Sequence, residues 1–372
     1  MHRRVCFILM ALSLLLLTGC SGGSQSAKTS SGNIFREAVF LQGERPDSAT
    51  VDIAVINPWD STKILARYRL LNPEAGNADV PTGTTPLRLP LKRLIVYSSI
   101  HAALIAELGY ADAIVGVADA QYIKTPEIVA RLKDGRIADV GSSMEPSLEK
   151  IIALRPEAIL ISPFQNSGHG VVDKAGIPVI ECADYMETTP LGRAEWSAFY
   201  AMLVQGISPR NRDIFNRVRE RYESLVQRAD TFPDRPTVIT ELPQQGIWTM
   251  PGGNSYAARL LLDAGADYPF ASNTSTGSIR MNYETVFNDA RDADFWLIKS
   301  FGPAPDIDEL ARIHPFNSRI KAFSSGGIYN ANTAECNLFE EFPFHPDLLL
   351  SDYIAIFHRT GEPLRYFAPV VP

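Results

Sequence analysis

Six histidines and four cysteines give this chain its widest chemical reach, and their spacing removes most of it. His2, His101, His169, His314, His345 and His358 are scattered, with no HExxH or HxH. Cys6, Cys20, Cys182 and Cys336 form no CxxC. A preformed zinc cage needs about four such ligands at short spacing, so no metal or cofactor site is expected. No GxSxG elbow lifts a serine onto a strand-to-helix turn and no paired carboxylates stand out, so the chain reads as a binder and not an enzyme. What remains is recognition chemistry: Tyr97-Ser98-Ser99 with His101, Phe164-Gln165, Trp248, Arg280, Lys299 and Tyr329. Aromatic faces suit planar rings, hydroxyl and amide groups fix orientation, and Lys299 or Arg280 could balance an anion. Tyr97, Trp248 and Lys299 lead this set. His101, near the first helix, reads by itself as a packing or capping residue.

These residues share one placement rule. Most follow short β-rich runs that alternate with helical patterns, and in open α/β sheets ligands gather outside the carboxyl ends of the strands. Strands are predicted at Leu94–Tyr97, Ala113–Val117, Ala158–Ile161 and Pro178–Ile180, with helices at Ala102–Leu108, Leu148–Leu154 and Val171–Ala175. A second series has strands at Thr237–Thr240, Phe295–Ile298 and Ile320–Phe323, with helices at Ser255–Ala264, Tyr283–Asp289, Ile307–Ala311 and Leu348–Phe357. The fold class is therefore α/β, with two Rossmann-like lobes of parallel-rich sheet and a ligand cleft between them. The halves echo each other: SLEKIIALRPEAILI (147–161) matches NYETVFNDARDADFWLI (282–298), with Glu149 opposite Glu284. Between them, Ser208-Pro209 signals a helix start, and Ile214, Val218, Tyr222, Leu225 and Ala229 recur at helical spacing. About 21 helical residues span roughly 30 Å, enough to join two lobes. A helical joint is stiffer than extended strands, so only small closure of the cleft is expected.

The expected organisation is a leader at 1–19, a flexible tether at 20–32, a β-rich extension at 33–90, a first lobe at 91–187, a helical linker at 188–232 and a second lobe at 233–372. In the leader, Arg3 and Arg4 precede a run of about 13 apolar residues, the proportions of a signal-peptide core and too short for a membrane span. It ends in Leu17-Thr18-Gly19-Cys20, which resembles the bacterial lipobox, so Cys20 is the expected lipidated N-terminus of an extracytoplasmic, membrane-anchored protein. The Ser/Gly-rich stretch to Gly32 would be its tether. Cys182 and Cys336 could pair or stay as two buried thiols, the second being preferred. A net charge of -7 with no basic run argues against nucleic-acid binding. The chain is expected to be a monomer.

Together these features resemble the bacterial solute-binding proteins of the helical-backbone class, which serve ABC importers of ferric siderophores, haem and vitamin B12. The resemblance covers roughly 90–372. Its strongest piece is Glu145 to Ile161, EPSLEKIIALRPEAILI, supported by Thr189-Pro-Leu-Gly-Arg-Ala-Glu-Trp196 and Leu94-Ile-Val-Tyr-Ser-Ser-Ile-His101. Pro156-Glu157 replaces the usual Pro-Asp, and the prelude before Pro90 is long. The resemblance implies a small-molecule ligand in the cleft, a ferric siderophore first, with haem or a corrinoid as alternatives; if the cargo is haem, His101 and Tyr97 could be its axial iron ligands, though the packing reading of His101 is preferred. Lys299 or Arg280 would then balance an anionic iron chelate. It also implies an ABC permease as partner, docked through one surface glutamate per lobe; the matching positions are Glu149 and Glu284. A periplasmic hydrolase or chelatase is the rival class.

Overall fold

A computed structural model describes residues 32–303 and 305–371; the leader, Cys20 and the tether up to residue 31 lie outside the described residues. The chain opens with a four-stranded sheet, β1 (Leu41–Glu44), β2 (Thr50–Ile56), β3 (Ile64–Leu71) and β4 (Thr85–Arg88), in sequential order. In β1, buried Leu41 and Gly43 alternate with exposed Gln42 and Glu44, the pattern of a sheet with one wet face. Asp52 and Arg69 face each other across β2 and β3 in a two-pronged ion pair of 2.5 and 2.6 Å.

The first lobe follows: β5 (Leu94–Val96), α1 (Ser99–Glu107), β6 (Ile114–Val117), α2 (Pro126–Lys133), β7 (Ala138–Asp139), α3 (Leu148–Leu154), β8 (Ala158–Ile161) and β9 (Val179–Glu181). Its five strands are all parallel in the order β7-β6-β5-β8-β9. Both faces of this sheet are covered, so β5 and β8 are apolar and buried at every position instead of alternating. The opening sheet shares its core: Phe35, Val51, Ile53 and Leu70 pack in one cluster with Leu94, Leu104, Ile180 and Phe199. The Tyr68 hydroxyl joins the two sheets, donating to the Val179 carbonyl at 3.0 Å and accepting from the Glu181 N–H at 2.9 Å.

Two helices lead to the second lobe, α4 (Pro190–Gln205) and α5 (Asp213–Ala229). Thr189 caps α4 by accepting from Gly192 N–H at 3.0 Å, with Pro190 at the first helical position. Nearly every residue of α4 is buried, as befits a helix that is apolar around most of its circumference. Helix α5 has one apolar stripe, and that stripe serves two cores. Ile214, Phe215 and Val218 pack in the first lobe's cluster, while Tyr222 and Ala229 pack in the second lobe's. Its 17 residues reach roughly 25 Å at 1.5 Å each.

The second lobe contains β10 (Val238–Thr240), β11 (Ile247–Pro251), α6 (Tyr256–Asp263), β12 (Ser278–Asn282), α7 (Tyr283–Ala290), β13 (Phe295–Ser300), α8 (Ile307–Ile313), α9 (Lys321–Ser324), β14 (Ile328–Asn332), α10 (Leu338–Glu341), α11 (Pro346–Phe357) and β15 (Ala368–Pro369). Strands β10, β13 and β14 are parallel and β15 closes the edge antiparallel; β11 and β12 form a separate hairpin. One expected strand is corrected here: Ile320–Phe323 lies at the turn of helix α9, and the strand comes later, at β14. No helix among the described residues is long and apolar enough to cross a membrane. Cys182 is buried and Cys336 partly buried, and both are free thiols.

Polar contacts hold the parts together. Five consecutive backbone N–H groups precede β1, and each meets a carboxylate. Arg36, Glu37 and Ala38 donate to Glu195 Oε2 at 2.7–2.9 Å, and Val39 and Phe40 donate to Glu187. Arg212 completes the Glu195 site at 2.6 Å. Across the lobes, Glu340 accepts from Lys124 N–H at 2.8 Å and the Thr125 hydroxyl at 2.7 Å, and His345 meets Glu107 at 2.7 Å.

Two predictions follow from these contacts. Glu195→Ala strands three N–H groups and a guanidinium in the interior, so its denaturation midpoint should reveal a loss of about 3–5 kcal/mol. Burial disfavours charge on His345, but the Glu107 hydrogen bond outweighs it and raises the imidazole above its ordinary 6.5. That stabilisation is complete below pH 6.5 and is lost as pH rises through the raised folded-state value. The thermal midpoint should therefore fall over that window, and His345→Gln should flatten the dependence.

Candidate functional site

The carboxyl ends of β10 and β13 border a cavity of about 640 Å³, which the segment after β9 also lines. The first lobe supplies Tyr185, Met186 and Glu187 after β9; the rest of the wall belongs to the second lobe. Tyr256 and Leu260 come from α6, Phe339 and Phe342 from α10 and its end, and Tyr353 from α11. The hairpin offers one of its faces. Trp248 turns inward with its partner Met281, while Ile247, Thr249, Met250, Pro251 and Ser278 line the cavity. A flat aromatic ligand thus finds several rings, with few charges.

Those charges are arranged in pairs. Lys299, at the end of β13, forms an ion pair with Glu241, just past β10. Burial alone would lower the Lys299 ammonium, but Glu241 beside it outweighs this and pushes it up to about 12. Arg193, buried on α4, lies over the rings of Tyr256 and Phe342 at 5.4 and 6.0 Å and reaches Asp184 behind them at 3.3 Å. Asp184 also takes His101 Nε2 and the Tyr200 hydroxyl, each at 2.8 Å. Burial would raise the Asp184 carboxyl, yet His101 and Arg193 hold it below its ordinary value. Glu187 accepts Trp196 Nε1 at 2.9 Å besides its two backbone donors, but burial dominates and pushes its carboxyl up to about 7.

Of the ten ligand-binding residues expected from sequence, Lys299 lines the cavity. Trp248 does not: it is fully buried, stacked 5.5 Å from Tyr283, with its indole N–H given to the Thr240 and Glu241 carbonyls. Tyr97 is buried on the face of the first sheet with Ile95 and Val140, its hydroxyl without a partner among the described residues and pushed up to about 12 by burial. His101 is 2% exposed and engaged with Asp184, which withdraws it from any ligand in the cavity. Ser98 occupies the cap position of α1 without a capping bond, and Ser99 begins that helix. Phe164 and Gln165 are exposed beyond the wall, Phe164 at 61%. Tyr329 packs inside the second sheet against Phe295. Arg280, paired with Thr249, is exposed and is not among the residues that line the cavity. Among the described residues no cluster of His, Cys, Asp and Glu could hold a metal ion.

Glu241, Tyr256 and Tyr353 were missed. Glu241 directly follows the predicted strand Thr237–Thr240, so the rule that favours residues after strands already pointed to it. Tyr256 and Tyr353 sit on helices, where aromatic spacing reads as core.

Glu149 and Glu284 occupy equivalent places. Each is the second residue of its helix, α3 or α7, two positions after a capping side chain: Ser147 accepts from Lys150 N–H and Asn282 from Thr285 N–H. Both are exposed, and each helix leads directly to a central strand of its own sheet.

The periplasmic binding protein family matches residues 94–333, which leaves β1–β4 outside the match. A lipoprotein of Methanocaldococcus jannaschii is 31% identical over 253 residues, 65% of this chain, and the match spans 60% of that protein's length. Among solved structures, an ABC-type Fe3+-hydroxamate transport protein from Saccharomonospora viridis matches with TM-score 0.55 at 21% identity, over 73% of this chain and 94% of that one. A periplasmic heme-binding protein from Pseudomonas aeruginosa matches with TM-score 0.56 at 17% identity, over 75% and 98%. At such identities these structures share the fold.

Thr249 is exposed and lines the cavity, so Thr249→Trp should intrude on it at little cost to folding, within about 0.5 kcal/mol. An environment-sensitive naphthalene dye that fluoresces in the native cavity should lose its signal in this variant; unchanged fluorescence would place dye binding elsewhere.

Proposed function

The chain belongs to the periplasmic binding protein family, and on that premise we propose that it is an extracytoplasmic lipoprotein that captures a ferric siderophore between its lobes and delivers it to the permease of an ABC importer. The observation that carries this reading is the cavity between the segment after β9 and the carboxyl ends of β10 and β13, walled by Tyr185, Tyr256, Phe342 and Tyr353 and large enough for much of an organic chelate. Membership of a binding-protein family supports capture and release over turnover. The lipobox-like segment ending at Cys20 and the lipoprotein relative support anchoring at the membrane, which would raise the local concentration of loaded protein near a permease.

Of the alternatives, haem held by axial ligands from His101 and Tyr97 loses its support, since both side chains are committed away from the cavity. A corrinoid, which brings its own metal ligands, keeps its place as second reading.

Glu149 and Glu284 serve in this account as the two docking handles. Opposite charges at an interface rim steer and orient encounter. Their equivalent positions on two lobes suit a partner built from two similar subunits.

Two measurements test the reading. Tryptophan fluorescence of the full-length protein in detergent, titrated with ferric hydroxamates and catecholates, haemin and cyanocobalamin, should show saturable one-to-one binding of one class; no saturable response would sink it. The double variant Glu149→Ala, Glu284→Ala should bind ligand as before, fold within about 0.5 kcal/mol of the parent and fail to support uptake by cells. Weakened affinity with normal uptake would remove the docking assignment.

A further inference from the structure

Glu241 has φ 65°, a left-handed backbone that residues with a Cβ rarely adopt and that persists only where its surroundings impose it. The surroundings here are specific. Its carbonyl accepts the indole N–H of Trp296 at 2.7 Å and of Trp248 at 3.2 Å, and its own N–H donates to the Leu297 carbonyl at 2.9 Å. Both indoles are fully buried, with ring centroids 5.4 Å apart. Three hydrogen bonds and two large side chains thus hold this one peptide in a strained conformation. Glycine would fill the position without strain. The glutamate brings a carboxylate, and that carboxylate meets the Lys299 ammonium on the cavity wall.

The consequence concerns the charge of what enters. A lysine in a binding cavity would ordinarily suit an anion, but Lys299 is neutralised in advance. The other cation behind the wall, Arg193, is neutralised by Asp184. Glu187 adds a third carboxyl, and Arg280 is not among the lining residues.

We propose that Glu241 is a specificity-determining residue: by pairing with Lys299 it sets the cavity to accept a metal chelate of neutral or positive charge and to reject an anionic one. This rests on the metal-chelate reading above and narrows it. An anionic chelate must face Glu241 or break the Glu241–Lys299 pair, leaving a charge unpaired in a partly buried site, which is a strong discriminator between otherwise similar ligands. A neutral chelate keeps the pair intact and presents its organic surface to the aromatic wall.

The test uses the full-length protein in detergent micelles and equilibrium dialysis of iron, with three probes: a cationic ferric trihydroxamate, a neutral ferric trihydroxamate and an anionic ferric tricatecholate. The native protein should bind the first two at least about tenfold more tightly than the third, a difference of about 1.4 kcal/mol. Glu241→Gln frees Lys299 and should shift the preference toward the anionic probe. Lys299→Met leaves Glu241 alone and should shift it toward the cationic probe; this second variant carries the test if the first fails to fold. Selection by shape alone predicts one preference in all three proteins, and that result, or native binding of the anionic probe as tight as the others, overturns the proposal. Binding of no chelate of any charge overturns the metal-chelate reading itself, and this inference with it.

Discussion

One helix face is divided between two hydrophobic cores, and the geometry of the cleft depends on that division. Residues Ile214 to Val218 of α5 are part of the first core and Tyr222 to Ala229 of the second, so neither lobe can rotate far without exposing half of the stripe to water. Helix α4 reinforces the joint from inside, and Glu195 and Glu187 tie the chain before β1 to it through five backbone N–H groups. Glu340 and His345 add cross-lobe bonds on the other side. A buried carboxylate that satisfies several N–H donors is costly to disturb, since each donor would otherwise be left unpaired.

Given a fixed frame, the sheets do the positioning. Parallel strands deliver their carboxyl ends to the same gap, which brings Tyr185 after β9, Glu241 after β10 and Lys299 at the end of β13 to one wall. The charged groups near the ligand are then matched in place before anything binds: Lys299 with Glu241 and Arg193 with Asp184. Strain at Glu241 is held by two tryptophans, which therefore act on the ligand only through the residue they fix.

Much of this was legible in the sequence, for definite reasons. Continuous apolar runs such as AILI at 158–161 mark strands buried on both faces, and the paired segments 147–161 and 282–298 place α3 and α7 before β8 and β13. The α5 register from Ile214 to Ala229 was plain from spacing. What the sequence hid is equally specific. IKAF at 320–323 is too short for its period to separate a strand from one helical turn, so it read as strand, while the true strand, IYNAN, is too polar to look like one. The antiparallel pair β11–β12 joins strands with 26 residues and helix α6 between them, and its pairing is a long-range fact that no local pattern records. That pairing turned Trp248 inward. Whether an aromatic residue walls a cavity or fills a core depends on which neighbour stops short of it, as with Tyr256 and Phe342, and spacing along the chain does not encode that.

The central claim is that ligands meet a frame already fixed. Spin labels at Ile152→Cys on α3 and Ile313→Cys on α8, both exposed and on different lobes, would report the distance between lobes by pulsed electron resonance in a Cys336→Ser background. The account predicts one narrow distance distribution whose maximum moves by less than the width of a side chain when the protein is saturated with chelate. Two populations, or a shift comparable to the cleft itself, would contradict it and make the lobes a hinged pair.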